Sequence, residues 1–203
     1  MADGKSIAFW FDFASTYSYL SAMRIDEMAR DVGVSVDWQP FLLGPIFKSQ
    51  GWSTSPFQVY PAKGRYMVRD MERLARARGL TFVMPETFPG YSLHAARIGR
   101  VARREGWIAP FSRAVFEAQF SGRRDIGDLA VLTELAISSG GTQQAVDAAR
   151  SDAVKRDLRE VTEHAQTIYL FGAPSFVCQD GEMFWGDDRL EQALMWAVQI
   201  DST

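Results

Sequence analysis

The chain has 203 residues, 47% of them hydrophobic and 23% charged, with 22 basic against 25 acidic side chains and a net charge of −3. This is the composition of a folded domain with a sizeable core. It excludes disorder and gives no electrostatic footprint for nucleic acid, because the basic residues are interspersed with acids. The single cysteine, Cys178, excludes an internal disulfide and a Cys-x-x-Cys pair, and His94 and His164 lie far apart without ligand spacing, so no metal is expected.

The N-terminal Met-Ala-Asp-Gly-Lys-Ser runs straight into strand-like sequence, without a basic region followed by an apolar stretch and a cleavage site. No uncharged run of about 18 residues is present to span a bilayer. Both features lead to the expectation of a cytoplasmic protein.

Residues 6 to 13 read as a first strand, apolar almost without interruption as expected where helices cover both faces. Residues 17 to 32 carry Tyr17, Leu20, Ala22, Met23, Ile25, Met28 and Ala29 at helical spacing and end near Gly33. Val34-Ser35-Val36-Asp37-Trp38 alternates like a second strand. This β-α-β opening implies parallel pairing.

From Pro45 to Ala165 the character changes. Loop signals cluster at residues 50 to 56, and then helical periodicity dominates, with helices expected over 62 to 78, 91 to 105, 109 to 121, 127 to 138, 142 to 149 and 151 to 167. Strand character returns at Ser175-Phe176-Val177-Cys178 and at Glu182-Met183-Phe184-Trp185, separated by the hairpin signal Asp180-Gly181, and a last helix is expected over 188 to 199. The order β-α-β, helices, β-β-α is that of a thioredoxin-like α/β fold with a large all-helical insertion. The expected division is 1–44 and 166–203 for the thioredoxin-like domain and 45–165 for the insertion.

In such folds ligands collect beyond the carboxyl ends of strands, where helix N-termini present free N–H groups. Ser15 stands at that point, either as a helix N-cap or with its hydroxyl turned to a ligand. Pro174 is either an ordinary turn proline or a proline after a cis bond. Gly186-Asp187-Asp188-Arg189 reads as a turn with acids in a first helical turn. Trp185 fits a core aromatic at a strand end, Lys48 a solvated cation, and Cys178 a small buried hydrophobe.

These residues, in order, are similar to a known family. Ser15-Thr16-Tyr17-Ser18-Tyr19 after the strand, Phe47-Lys48, Lys63-Gly64-Arg65-Tyr66-Met67, Gly172-Ala173-Pro174 and Trp185-Gly186-Asp187-Asp188-Arg189-Leu190 resemble the 2-hydroxychromene-2-carboxylate isomerases and kappa-class glutathione transferases. That branch of the DsbA-like thioredoxin superfamily carries serine in place of the active-site cysteine. The resemblance spans nearly the whole chain.

The resemblance implies a glutathione-dependent isomerase of aromatic catabolism, with Ser15 holding the cofactor thiolate and acting as the catalytic residue. It implies glutathione contacts from Ser15, Thr16, Tyr17, Ala173, Pro174 (cis), Trp185, Gly186, Asp187 by its backbone and Asp188 by its carboxylate. Lys48 would meet a substrate carboxylate. Trp52 stands where relatives often carry Asn, Thr16 where they commonly carry Pro, and Phe57 and Phe88 where a chromene isomerase offers polar contacts, so the substrate wall formed by Lys48, Trp52, Phe57 and Phe88 suits a more apolar electrophile.

The expected partner is a small aromatic or enone substrate, with no nucleic acid and no membrane; homodimers occur in the family. Kappa-type conjugation or peroxide reduction is the enzymatic alternative, and a glutathione-binding protein without turnover the non-enzymatic one. A dithiol oxidoreductase is excluded by the lack of a second cysteine.

Overall fold

In a computed structural model, residues 4–200 are described. The chain runs β1 (Ser6–Phe11), α1 (Thr16–Ala22), α2 (Ile25–Asp31), β2 (Ser35–Pro40), α3 (Leu43–Ser49), α4 (Pro56–Val59), α5 (Pro61–Ala77), α6 (Leu93–Glu105), α7 (Ile108–Phe120), α8 (Leu129–Ser138), α9 (Gln143–Ala148), α10 (Asp152–Thr167), β3 (Ser175–Cys178), β4 (Met183–Trp185), a one-turn 3-10 helix at Asp187–Arg189, and α11 (Leu190–Gln199).

One sheet forms in the order β2-β1-β3-β4. β1 pairs with β2 in parallel and with β3 antiparallel, and β3 pairs antiparallel with β4. The β-α-β and β-β-α halves read from the sequence therefore meet along β1, giving a thioredoxin-like sheet.

The apolar run of β1 is explained by its two covered faces. Ile7, Phe9 and Phe11 point into the main core, where Phe9 packs on Phe11 and Phe176 with ring centroids 4.9 and 5.6 Å apart. Trp10 points to the other face and joins Phe41, Ile46, Ala165 and Leu170 in a second cluster. The main core is continuous from β1 through α5 to α9 and on to α11, so the helices between 45 and 165 share their apolar side with the sheet.

Two departures from the expected elements matter for the site. The helix expected over 17–32 is two helices, broken at Met23 and Arg24, where Arg24 leaves helical geometry (φ −132°). The loop expected around 50–56 is bracketed by α3 and the single turn α4. No helix among the described residues is long and apolar enough to cross a membrane.

Candidate functional site

The end of β1 is tied off by Asp12. Its carboxylate accepts the Ala14 N–H at 2.9 Å and the Leu43 N–H at 2.7 Å, which fixes both the turn into α1 and the start of α3. It is only 3% exposed. Burial pushes its carboxyl above the usual range, against the pull of the Leu43 and Ala14 N–H groups and the Ser92 hydroxyl. A strand ends in an acid here because two backbone N–H groups need an acceptor inside the fold.

Ser15 is the N-cap of α1. Its Oγ accepts the Ser18 N–H at 3.2 Å and donates to the Ala173 carbonyl oxygen at 3.0 Å. Capping and presentation to the cis-proline loop are thus combined in one hydroxyl, and its proton rests on Ala173 instead of pointing outward. The Ala173–Pro174 peptide is cis. The Ala173 N–H has no hydrogen bond among the described residues, and the Pro174 carbonyl accepts the Gly186 N–H at 2.9 Å.

The turn after β4 stands beside this loop. β3 and β4 place Ser175 opposite Trp185. Trp185 is 52% exposed and packs on Phe171 at 4.9 Å, which corrects the expectation of a core aromatic. A side chain at position 172 would sit 2.3 Å from the Trp185 indole nitrogen, so Gly172 is what lets the ring approach the loop so closely. Gly186 takes φ +109°, and Asp188 folds back over it with its carboxylate exposed. The Asp187 side chain points inward, its carbonyl oxygen accepts Arg24 Nη2 at 2.7 Å, and the whole residue is 3% exposed, so Asp188 is the acid that the turn presents outward.

On the other flank, Thr16 is buried and its hydroxyl donates to the Met67 sulfur at 3.5 Å, so this side chain locks α1 to α5. The Tyr17 hydroxyl donates to Asp70 at 2.9 Å, and burial together with Asp70 holds it protonated far above its ordinary range. Phe57 lies 6.3 Å from the Tyr17 ring. Phe88 is joined to α4 through Gln58, whose amide donates to the Phe88 carbonyl.

Lys48 is exposed on α3 and makes no ion pair among the described residues. Trp52 packs on Phe47 of the same helix at 5.8 Å. The structure thus joins Ser15, Ala173, Pro174, Trp185, Gly186, Asp187 and Asp188 through direct contacts, and Tyr17 with Phe57. It links Lys48 and Trp52 to the site only through the Asp12 bond at the start of α3.

Cys178 is buried against α11, its thiol 3.6 Å from the Ala193 carbonyl, and burial pushes it up to about 11, as befits an inert core residue. Among the described residues no cluster of His, Cys, Asp and Glu could hold a metal ion. Two surface grooves lie away from Ser15, one along the end of α5 and one between α10 and the sheet. Sequence reasoning missed Asp12, Ser21, Arg24, Asp70 and Arg78. Only Asp12 left a signal, as an acid closing an apolar strand.

A sheet of this order, a serine-capped helix after β1 and a proline loop facing it define a DsbA-like thioredoxin domain, and the chain belongs to that family, whose model matches residues 6–195. Among its relatives is the 2-hydroxychromene-2-carboxylate isomerase of Sphingobium xenophagum, 28% identical over 189 residues that cover 92% of this chain and 95% of that protein. Human glutathione S-transferase kappa 1 is 26% identical over 201 residues, covering 92% of this chain and 88% of that protein. The solved structure of a 2-hydroxychromene-2-carboxylate isomerase shares the fold with a TM-score of 0.85 at 24% identity, over 97% of this chain and 98% of that one. The resemblance carried by the motifs is borne out, and both named relatives are enzymes.

Proposed function

We propose that the protein is a glutathione-dependent isomerase acting on a conjugated carbonyl compound of the 2-hydroxychromene-2-carboxylate type. The observation that carries this reading is the placement of the Ser15 hydroxyl between a helix N-terminus and the cis-proline loop. Glutathione, if bound there, would supply a thiolate able to add reversibly to the substrate and so make a fixed double bond rotatable.

The residues fit that cofactor. The open Ala173 N–H suits the peptide backbone of a tripeptide, and the exposed Asp188 carboxylate, which lies 3.4 Å from Arg189, suits an α-ammonium group. Ser15, whose hydroxyl donates to the Ala173 carbonyl here, would donate to the thiol sulfur when the cofactor is bound, with the N-terminus of α1 adding its dipole. Lowering a free thiol from about 8.5 by about two pH units takes roughly 2.7 kcal/mol, the size of one charge-assisted hydrogen bond plus a dipole. Phe57, beside Tyr17, gives the electrophile an apolar wall, Trp52 extends it from the segment after α3 and Phe88 from the loop before α6, and Lys48 receives a carboxylate at its edge.

The kappa-type relative supports transferase or peroxidase activity as a second reading on the same cofactor site. Calorimetric titration with glutathione, followed by assays with the chromene carboxylate, a halogenated aromatic and a peroxide, tests both. Isomerisation of the first is expected; glutathione binding without turnover of any of them leaves a ligand-binding protein, and no binding removes the reading.

A further inference from the structure

The turn carrying Gly186 and Asp188 is held from beneath by a buried ion cluster. The Asp187 side chain is 2% exposed. Its Oδ1 accepts the Ser21 hydroxyl at 2.9 Å and Arg24 Nη2 at 3.3 Å, and its Oδ2 accepts Arg78 Nη2 at 2.6 Å. Arg24 Nη2 also reaches the Asp187 carbonyl oxygen at 2.7 Å, and its Nη1 pairs with Glu191. Two guanidinium groups and a hydroxyl thus converge on one carboxylate, which fixes it in direction as well as charge.

The three donors come from three places in the chain. Ser21 lies in α1, whose N-cap is Ser15; Arg24 lies at the break between α1 and α2; Arg78 caps the C-terminal end of α5. α5 in turn supplies Met67 and Asp70, which hold Thr16 and Tyr17. Asp187 is therefore where α1, α5 and the β4–α11 turn are registered against one another.

We propose that Arg78 is a positioning residue that, through Asp187, holds the Gly186–Asp188 turn at a set distance from Ser15, so that the amino end and the sulfur of one extended tripeptide are bound together. This rests on the glutathione reading. Arg78 acts on the ligand only through the turn. A ligand lacking the γ-glutamyl group uses Ser15 and Ala173 alone and has no use for the register. A purely structural ion pair would lower the melting temperature and leave the affinity of the folded protein unchanged for both ligands.

The experiment is calorimetry on the full chain with glutathione and with cysteinylglycine, for the wild type, Arg78→Met, Arg78→Lys and Ser21→Ala, with thermal melts in parallel. Arg78→Met is expected to lose about tenfold in glutathione affinity while cysteinylglycine stays within about twofold, with Arg78→Lys in between. Should Arg78→Met fail to fold, Ser21→Ala, which removes one donor from the same carboxylate, carries the test with a smaller loss confined to glutathione. Unchanged glutathione affinity, or equal loss for both ligands, overturns the positioning role. A wild type that binds neither ligand instead overturns the glutathione reading itself, which separates the two failures.

Discussion

The Ser15 hydroxyl donates to the Ala173 carbonyl oxygen at 3.0 Å while accepting the Ser18 N–H at 3.2 Å, so the residue that caps α1 also reaches the loop that closes the site. Ser15→Ala removes the cap and leaves that carbonyl without its donor. We expect a loss of about 1 kcal/mol in equilibrium unfolding, visible as a fall of roughly 2–4 °C in melting temperature for a chain of this size. A melt that overlays the wild type would show that the hydroxyl does not cap the helix in solution.

Gly64 stands in α5, where alanine would ordinarily gain up to about 1 kcal/mol of helix stability. Here an added Cβ would lie 2.4 Å from the Phe57 carbonyl oxygen, a backbone atom with no rotamer to yield. Gly64→Ala is therefore expected to lose stability and to push α4, with Phe57, away from Tyr17. Glutathione affinity should hold while KM for the electrophile rises. A variant more stable than the wild type with the same KM would show that α4 does not form the wall assigned to it.

Two buried or partly buried acids titrate with opposite sign. The folded Asp12 carboxyl is raised by burial, so its protonated form is favoured by folding, and its contribution to stability grows as pH falls through the raised folded value towards about 4 and is complete below that. Asp157 is lowered, chiefly by its hydrogen bonds from Arg100 at 2.8 and 3.0 Å, so its contribution is present above about 4 and is lost as pH falls through the depressed value. In urea unfolding across this range, the stability gap between wild type and Asp12→Asn should widen on acidification, and that between wild type and Asp157→Asn should narrow. Parallel profiles for the two variants would contradict the assignment.

The parts of the fold that declared themselves in the sequence are those governed by local pattern. Ile7-Ala8-Phe9-Trp10 announced a strand covered on both sides, and Asp180-Gly181 announced the β3–β4 turn. Helix α3 was not expected, since Gly44 and Pro45 are poor helix formers, although Pro45 lies near the start of the helix, where its missing N–H costs nothing. The single turn α4 is too short to show a period. The break at Met23 and Arg24 interrupts a sequence whose apolar spacing continues through it, and there Arg24 turns to Asp187, far along the chain.

The site was legible where a motif fixes its own backbone, as at Ser15 and at Ala173-Pro174. Trp185 was expected inward because an aromatic at a strand end commonly is. Its strand alternates, and with Phe184 buried the next residue must face out. The roles of Asp187, Arg24 and Arg78 depend on contacts across 109 to 163 positions in the chain, for which one sequence holds no local sign.

The central claim is that Ser15 makes a bound thiol acidic, and the most direct measurement is the ultraviolet absorbance of the thiolate of protein-bound glutathione followed against pH, in the wild type and in Ser15→Ala. The account predicts a wild-type midpoint about two pH units below that of the free thiol and a variant midpoint close to the free value. Two titration curves that superimpose would contradict it.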